Sequence, residues 1–228
     1  MASAKNSEEA VTPARARAFI QANTRLERPS LLPELQLHLA SEVCDLWQMT
    51  EDERDAIGLP PPYWAFAWAG GQALARYLLD NALEVRRRGV LDLGAGSGLV
   101  AIAAGLAGAA TVTASDIDPY AQAAIGLNAA VNGAEIDAVV GDVIGGDASA
   151  WQLILVGDLF YERLTAERLE PWLRGLVAGG TRVLVGDPRR TYLPREGLAE
   201  LASYQVPTSQ ELEDTDLRNA RVWELAAE

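Results

Sequence analysis

The chain has 228 residues, 49% of them hydrophobic and 22% charged, enough for one sizeable α/β domain with a complete core. Its 19 basic and 32 acidic residues leave a net charge of −13. That field repels nucleic acid phosphates, and it either favours a basic partner or only keeps the surface soluble. No apolar run reaches membrane-spanning length, and the single cysteine, Cys44, excludes an internal disulfide and a thiolate metal cluster. Neither a nucleic acid nor a membrane partner is expected.

Met1 to Val11 is polar and carries Glu8 and Glu9. It lacks the apolar stretch of a secretory signal and the acid-poor character of a transit peptide, so residues 1–11 read as a flexible start and the protein as cytoplasmic. Phe19 and Ile20 among Ala and Arg predict a short helix over Thr12 to Asn23. Leu35, Leu39, Val43 and Leu46 predict a second from Pro33 to Trp47. Pro60, Pro61 and Pro62 then force an extended segment. Leu74, Tyr77 and Leu78 predict a helix after Gly70-Gly71 that ends near Asn81.

From Arg88 strand and helix signals alternate. Strands are expected at Val90–Leu93, Thr111–Ser115, Ala138–Val140, Leu153–Val156 and Thr181–Val185. Helices are expected through Ala107, over Pro119 to Val131 and over Thr165 to Val177. A short helix near Glu196–Leu201 precedes two further strands, Tyr204–Leu212 and Ala220–Leu225, joined by the polar run Glu213–Asn219. The fold expected is a Rossmann-like, seven-stranded, mostly parallel α/β sheet with helices on both faces and a C-terminal antiparallel hairpin. Residues 12–228 form one domain in this reading, with a helical and aromatic extension over 12–87 and a ligand-binding core over 88–228.

Val90-Leu91-Asp92-Leu93-Gly94-Ala95-Gly96-Ser97-Gly98 runs a strand into a glycine turn and then a helix. Gly94, Gly96 and Gly98 let the backbone turn sharply and approach a ligand. Leu99 stands where a dinucleotide G-x-G-x-x-G has its last glycine. Asp92, at the strand end, disfavours a pyrophosphate but suits a ligand with an ammonium and a sulfonium, as S-adenosylmethionine has; capping of its own turn is the plainer alternative. Asp116 ends the second strand 22 residues after Gly94, the place for a carboxylate on ribose hydroxyls. Ile117 would pack on the adenine, Asp118 would cap the next helix, and Asp142 would accept from the adenine amino group.

The fourth strand ends in Gly157-Asp158-Leu159-Phe160-Tyr161. This D-x-x-Y motif resembles that of the family 16 protein methyltransferases. The likeness is strongest to the branch acting on the electron transfer flavoprotein β subunit. It continues through Pro62-Tyr63-Trp64-Ala65, Gly70-Gly71-Gln72-Ala73-Leu74, Arg76 to Asn81, Asp116-Ile117-Asp118-Pro119 and Arg182 to Pro188. The resemblance runs from about Phe19 to Trp223 and implies S-adenosylmethionine as methyl donor, S-adenosylhomocysteine as product, and protein lysine ε-amines as acceptors. It also implies Trp68 in the cofactor pocket. Pro62 and Arg189 depart from the family pattern, in which an acidic residue often precedes the tyrosine and a glycine commonly follows Gly-Asp-Pro.

A lysine ammonium must lose its proton before attack. In this reading Asp158 and Tyr161 are catalytic, Asp158 orienting the amine and helping the proton leave. Phe160 and Tyr161 shape an apolar channel, and Tyr63 or Trp64 holds the cation by a ring face. Core packing is the alternative for Trp64, Phe66 and Trp68. His38 and Cys44 read as packing residues, and no metal-ligand spacing is present. The rival functions are methylation of a small metabolite, an NAD-dependent or nucleotide-sugar enzyme, and a cofactor-fold binding module without turnover.

Overall fold

The computed structural model describes residues 11–41, 54, 59–209, 213 and 215–226. The chain opens with α1 (Pro13–Asn23) and an antiparallel pair, β1 (Arg25–Glu27) and β2 (Leu37–Leu39). A short 3-10 turn at Tyr63–Ala65 leads to α2 (Ala69–Asp80). Strands and helices then alternate: β3 (Gly89–Leu93), α3 (Leu99–Leu106), β4 (Thr111–Asp116), α4 (Pro119–Asn132), β5 (Asp137–Val140), β6 (Leu153–Gly157), α5 (Arg163–Ala178) and β7 (Arg182–Asp187). A hairpin of β8 (Leu198–Pro207) and β9 (Leu217–Leu225) completes the order.

The central sheet has seven strands in the order β5-β4-β3-β6-β7-β9-β8. The first five run parallel, whereas β9 is antiparallel to both β7 and β8. Covered on both faces, the inner strands are apolar almost throughout, as buried parallel strands must be. Along β6, Leu153 and Leu155 join the core under α2 and α3, while Ile154 and Val156 join the core under α5. Helix α3 is wedged against the sheet, α2 and α4, so its residues from Leu99 to Ala104 are all buried. Helix α4 starts at an Asp118 cap with Pro119 in its first turn and stops at Gly133, φ 65°, the N-terminal and C-terminal devices expected for such residues.

The N-terminal segment is strapped to α4. Asn128 Oδ1 accepts from His38 N at 2.7 Å, Asn132 accepts from Gln36 N at 3.0 Å, and the Phe19 and Tyr120 rings meet at 5.3 Å. This anchoring holds the aromatic segment after residue 59 across the carboxyl ends of the strands.

Two elements differ from expectation. The region expected to be helical from Pro33 carries β2 instead. Leu35, Leu37 and Leu39 are buried while Gln36 and His38 are less so, a period of two that pairing with β1 satisfies; residues 42–47 lie outside the described residues. The helix expected at Glu196–Leu201 is replaced by a turn at Gly197, φ 71°, and the start of β8. There Glu200 pairs with Trp223 and bonds Arg221 at 3.0 Å, so the strand partner overrides local helix propensity.

Candidate active site

The carboxyl ends of β3, β4, β5 and β6, with Arg190 from the loop after β7, converge with the N-terminus of α2 around one cleft of about 560 Å³. Open α/β sheets bind ligands at this edge, where strand order reverses. Gly94 and Gly96 lie on its floor and Gly98 caps α3 behind them; all three take positive φ, 65°, 51° and 78°, the left-handed conformation that glycine adopts without strain. Gly94 and Gly98 are also confined: a Cβ on Gly94 would lie 2.7 Å from Leu159 Cδ1, and one on Gly98 3.1 Å from Ile125 Cγ1.

The acidic strand ends line the cleft. Asp92 is buried and its Oδ2 accepts from Ala101 N at 2.9 Å, so it caps the first turn of α3 as well as facing the cleft. Burial pushes its carboxyl up to about 7. Asp116 accepts from Gly96 N at 2.8 Å and from Asp118 N at 3.0 Å, which ties the glycine loop to β4; burial raises its pKa too. Asp118 is the helix cap, bonded to Tyr120 N at 2.8 Å. Asp142 sits at the rim, ion-paired with Arg168 at 2.7 Å, which holds it below the usual carboxylate range. Ile117 lines the cleft with 73% of its surface exposed.

An aromatic wall closes the other side. Trp68 donates Nε1–H to Tyr63 O at 2.9 Å and meets the rings of Tyr63 and Phe66 edge-on at 6.0 and 5.9 Å. Tyr63 and Tyr161, 41% and 47% exposed, tilt against each other at 5.4 Å at the mouth. Burial, with Tyr63, pushes the Tyr161 phenol up to about 12. Two residues expected to contact substrate are buried. Phe160 is 1% exposed and packs under α5 with Ile154, Val156 and Leu169. The Trp64 ring is buried and stacked on Tyr120 at 6.2 Å. Trp64 nevertheless lines the cleft, whereas Phe160 does not.

Asp158 follows β6 at φ 54° and is 7% exposed. Its Oδ2 accepts from Gly70 N and, at 3.1 Å, from Gly71 N at the start of α2, where helix N–H groups lack partners of their own. Its Oδ1 accepts from Arg190 Nε at 2.8 Å. A carboxylate so engaged clasps α2 to the loop after β7, and Asp158 also lines the cleft. Burial and Glu213 raise the Asp158 pKa against the pull of Arg190. Arg190 also pairs with Glu213 at 3.0 Å and lies 5.8 Å over the Trp68 ring. Burial opposes its charge, but Asp158 and Glu213 outweigh it and raise its pKa.

Arg190 and Glu213 were missed from sequence, because neither lies in a motif and only the fold brings them to Asp158. The Gly70-Gly71 and Gly186-Asp187 blocks held a legible signal. A Cβ on Gly70 would strike Gly186 O, and one on Gly157 would lie 3.2 Å from Gly71 Cα. The N-terminus of α2 thus rests directly on the ends of β6 and β7. His38 lies away from the cleft, 3.2 Å from Thr24 Oγ1, and Cys44 is outside the described residues.

This strand order, with its antiparallel last pair and a glycine cleft between acidic strand ends, defines a Rossmann-like methyltransferase fold. The model of the ribosomal protein L11 methyltransferase family matches residues 72–153. The solved magnesium protoporphyrin IX methyltransferase of Synechocystis PCC 6803, with bound SAM, superposes at a TM-score of 0.50 and 15% identity, covering 70% of this chain and 80% of that one. The electron transfer flavoprotein beta subunit lysine methyltransferase of Danio rerio is 43% identical over 90% of this chain and 81% of its own length. That of Mus musculus is 39% identical over 91% and 83%. The chain is a methyltransferase and belongs to the family of electron transfer flavoprotein beta subunit lysine methyltransferases.

Proposed function

We propose that this chain transfers a methyl group from S-adenosylmethionine to lysine ε-amines of the electron transfer flavoprotein β subunit, releasing S-adenosylhomocysteine. One observation carries the reading: a single cleft runs from the glycine loop and Asp92 to Tyr63 and Tyr161 at the mouth. A donor on the floor and an amine entering at the mouth would meet within it.

The residues suit the cofactor. The cradle at Gly96 is open, with Trp64 Cα 3.8 Å from where a Cβ would lie, and a cation beside Asp92 would relieve the cost of ionising a buried carboxylate. Gly94, Gly96 and Gly98 would approach it with their backbone, Asp92 and Asp142 would face its polar groups, and Asp116 its ribose. Ile117 would cover the adenine, and Trp68 would wall the methionyl end. S-adenosylmethionine supplies a methyl group on a sulfonium already activated as a leaving group, so the reaction needs no metal.

The protein's part is orientation and exclusion of water. Tyr63 and Tyr161 flank the incoming lysine, and the half-exposed mouth lets its proton pass to solvent. With its phenol pushed up to about 12, Tyr161 stays neutral and offers its hydroxyl as a hydrogen-bond partner. Asp158 acts by holding α2, and through it Trp68, against the strand ends. As part of the same reading, the protein works in a reducing, cytoplasmic compartment, and residues 12–228 act as one unit.

Labelled S-adenosylmethionine incubated with the protein and purified electron transfer flavoprotein tests the proposal. Label on the β subunit, mapped to lysine by mass spectrometry, supports it. Label confined to small molecules in a cell extract, with the β subunit unmodified, overturns it in favour of a metabolite methyltransferase.

A further inference from the structure

Beyond the methyl-transfer cleft, the loop after β7 frames a second cleft of about 300 Å³ bounded by Tyr161, Pro188, Arg189, Arg190, Thr191 and Arg218. The two clefts share Tyr161 and Arg190, so they meet at the expected entry of the acceptor lysine. Three guanidinium groups converge here in a chain whose net charge is −13.

Two of the three arginines have internal partners. Arg190 is bound by Asp158 and Glu213, and Arg218 lies 3.3 Å from the same Glu213. Arg189 is exposed and forms no ion pair among the described residues. Among the described residues, these three cations face two carboxylates, Asp158 and Glu213, and Arg189 carries its charge at the lip of the cleft. Asp187 beneath, its carboxyl pushed up to about 7 by burial and Asp158, offsets only part of that charge at neutral pH. Arg189 also sits at φ 70°, where a side chain is strained and glycine would rest freely. Strain held at a cleft lip points to a use for the side chain.

We infer that this arginine cleft is an anion subsite that takes a side-chain carboxylate of the acceptor protein near the target lysine. The inference rests on the proposed protein-lysine reaction. A carboxylate seated against Arg189 and Arg218 would fix the acceptor's register while its lysine passes Tyr161. The free cation at the lip would reject acceptors that present a second lysine there.

Arg189→Gly and Arg189→Glu test it, because glycine suits the backbone at this position and the residue lies outside the cofactor cleft. With the β subunit as acceptor, the Michaelis constant for protein should rise about three- to fivefold in Arg189→Gly and about tenfold or more in Arg189→Glu. The turnover number and the Michaelis constant for S-adenosylmethionine should stay within about twofold in Arg189→Gly. An unchanged constant for protein in both variants overturns the subsite. So does a rise for S-adenosylmethionine instead, which would assign the arginines to the cofactor's own carboxylate. Inorganic sulfate gives a readout independent of the acceptor: it should raise the melting temperature of the parent more than that of Arg189→Gly, and equal responses overturn the subsite. If the parent leaves the β subunit unmethylated, the proposed reaction fails on that ground, and the sulfate comparison still decides the subsite.

Discussion

Asp158 and Arg190, 32 residues apart, meet at 2.8 Å with both side chains largely buried, and through them α2 is locked to the loop after β7. Removing the arginine leaves Asp158 a buried carboxylate without its cation and Glu213 with Arg218 alone. Arg190→Ala should lose about 3–5 kcal/mol of stability by urea unfolding. Arg190→Lys should recover only part of it, because a point charge cannot reach Asp158, Glu213 and the Trp68 face as a planar fork does.

Gly70 rests on Gly186 without room for a side chain. An added Cβ would strike Gly186 O and lie 2.6 Å from Asp158 Oδ2 and 2.8 Å from Asp187 Cα. Gly70→Ala should cost about 1–3 kcal/mol by thermal or urea unfolding. Because it displaces the Asp158 clasp, methyl transfer should fall further than the folded fraction does.

Gly96→Ala separates folding from binding. Its φ of 51° is strained for alanine, but a Cβ there would have its nearest neighbour, Trp64 Cα, at 3.8 Å. Stability should drop by only about 1 kcal/mol. Affinity for S-adenosylmethionine, read by calorimetry, should drop roughly tenfold, since the methyl occupies the cradle.

Asp187 should make stability fall with rising pH. Its Oδ1 accepts from Arg190 N at 2.6 Å, and its Oδ2 is buried without a hydrogen bond. Burial and Asp158 push its carboxyl up to about 7, against about 3.9 in an unfolded chain. The native state therefore binds the proton more tightly. The stability this group contributes is present in full below about pH 4 and is lost as pH rises through about 7. Asp187→Asn should match its parent near pH 4 and exceed it by up to about 4 kcal/mol at pH 8. Urea unfolding at the two pH values checks this.

Much of this architecture was readable residue by residue. The buried runs at Val90–Leu93 and Leu153–Val156 and the Asp118-Pro119 start of α4 formed the elements their patterns suggest. Periodicity misled where two periods fitted one stretch. Leu35 and Leu39 suit a helix, but Leu37 between them, with the β1 pairing, makes a strand. The burial of Phe160 and Trp64 was not legible for a related reason: an aromatic residue beside a motif looks the same in sequence whether its ring turns outward or packs on Ile154 or Tyr120.

By itself the sequence determined the alternation of strands and helices, the glycine loop after β3 and the acidic strand ends, because these depend on neighbours a few residues apart. Only the tertiary structure decided which partners each acid bonds. Asp92 caps α3, Asp142 is paired with Arg168, and Asp158 is held by two backbone N–H groups and Arg190. A carboxylate's partners and solvation arise from chain segments tens of residues away, and those long-range contacts set its charge and the groups it can still bind.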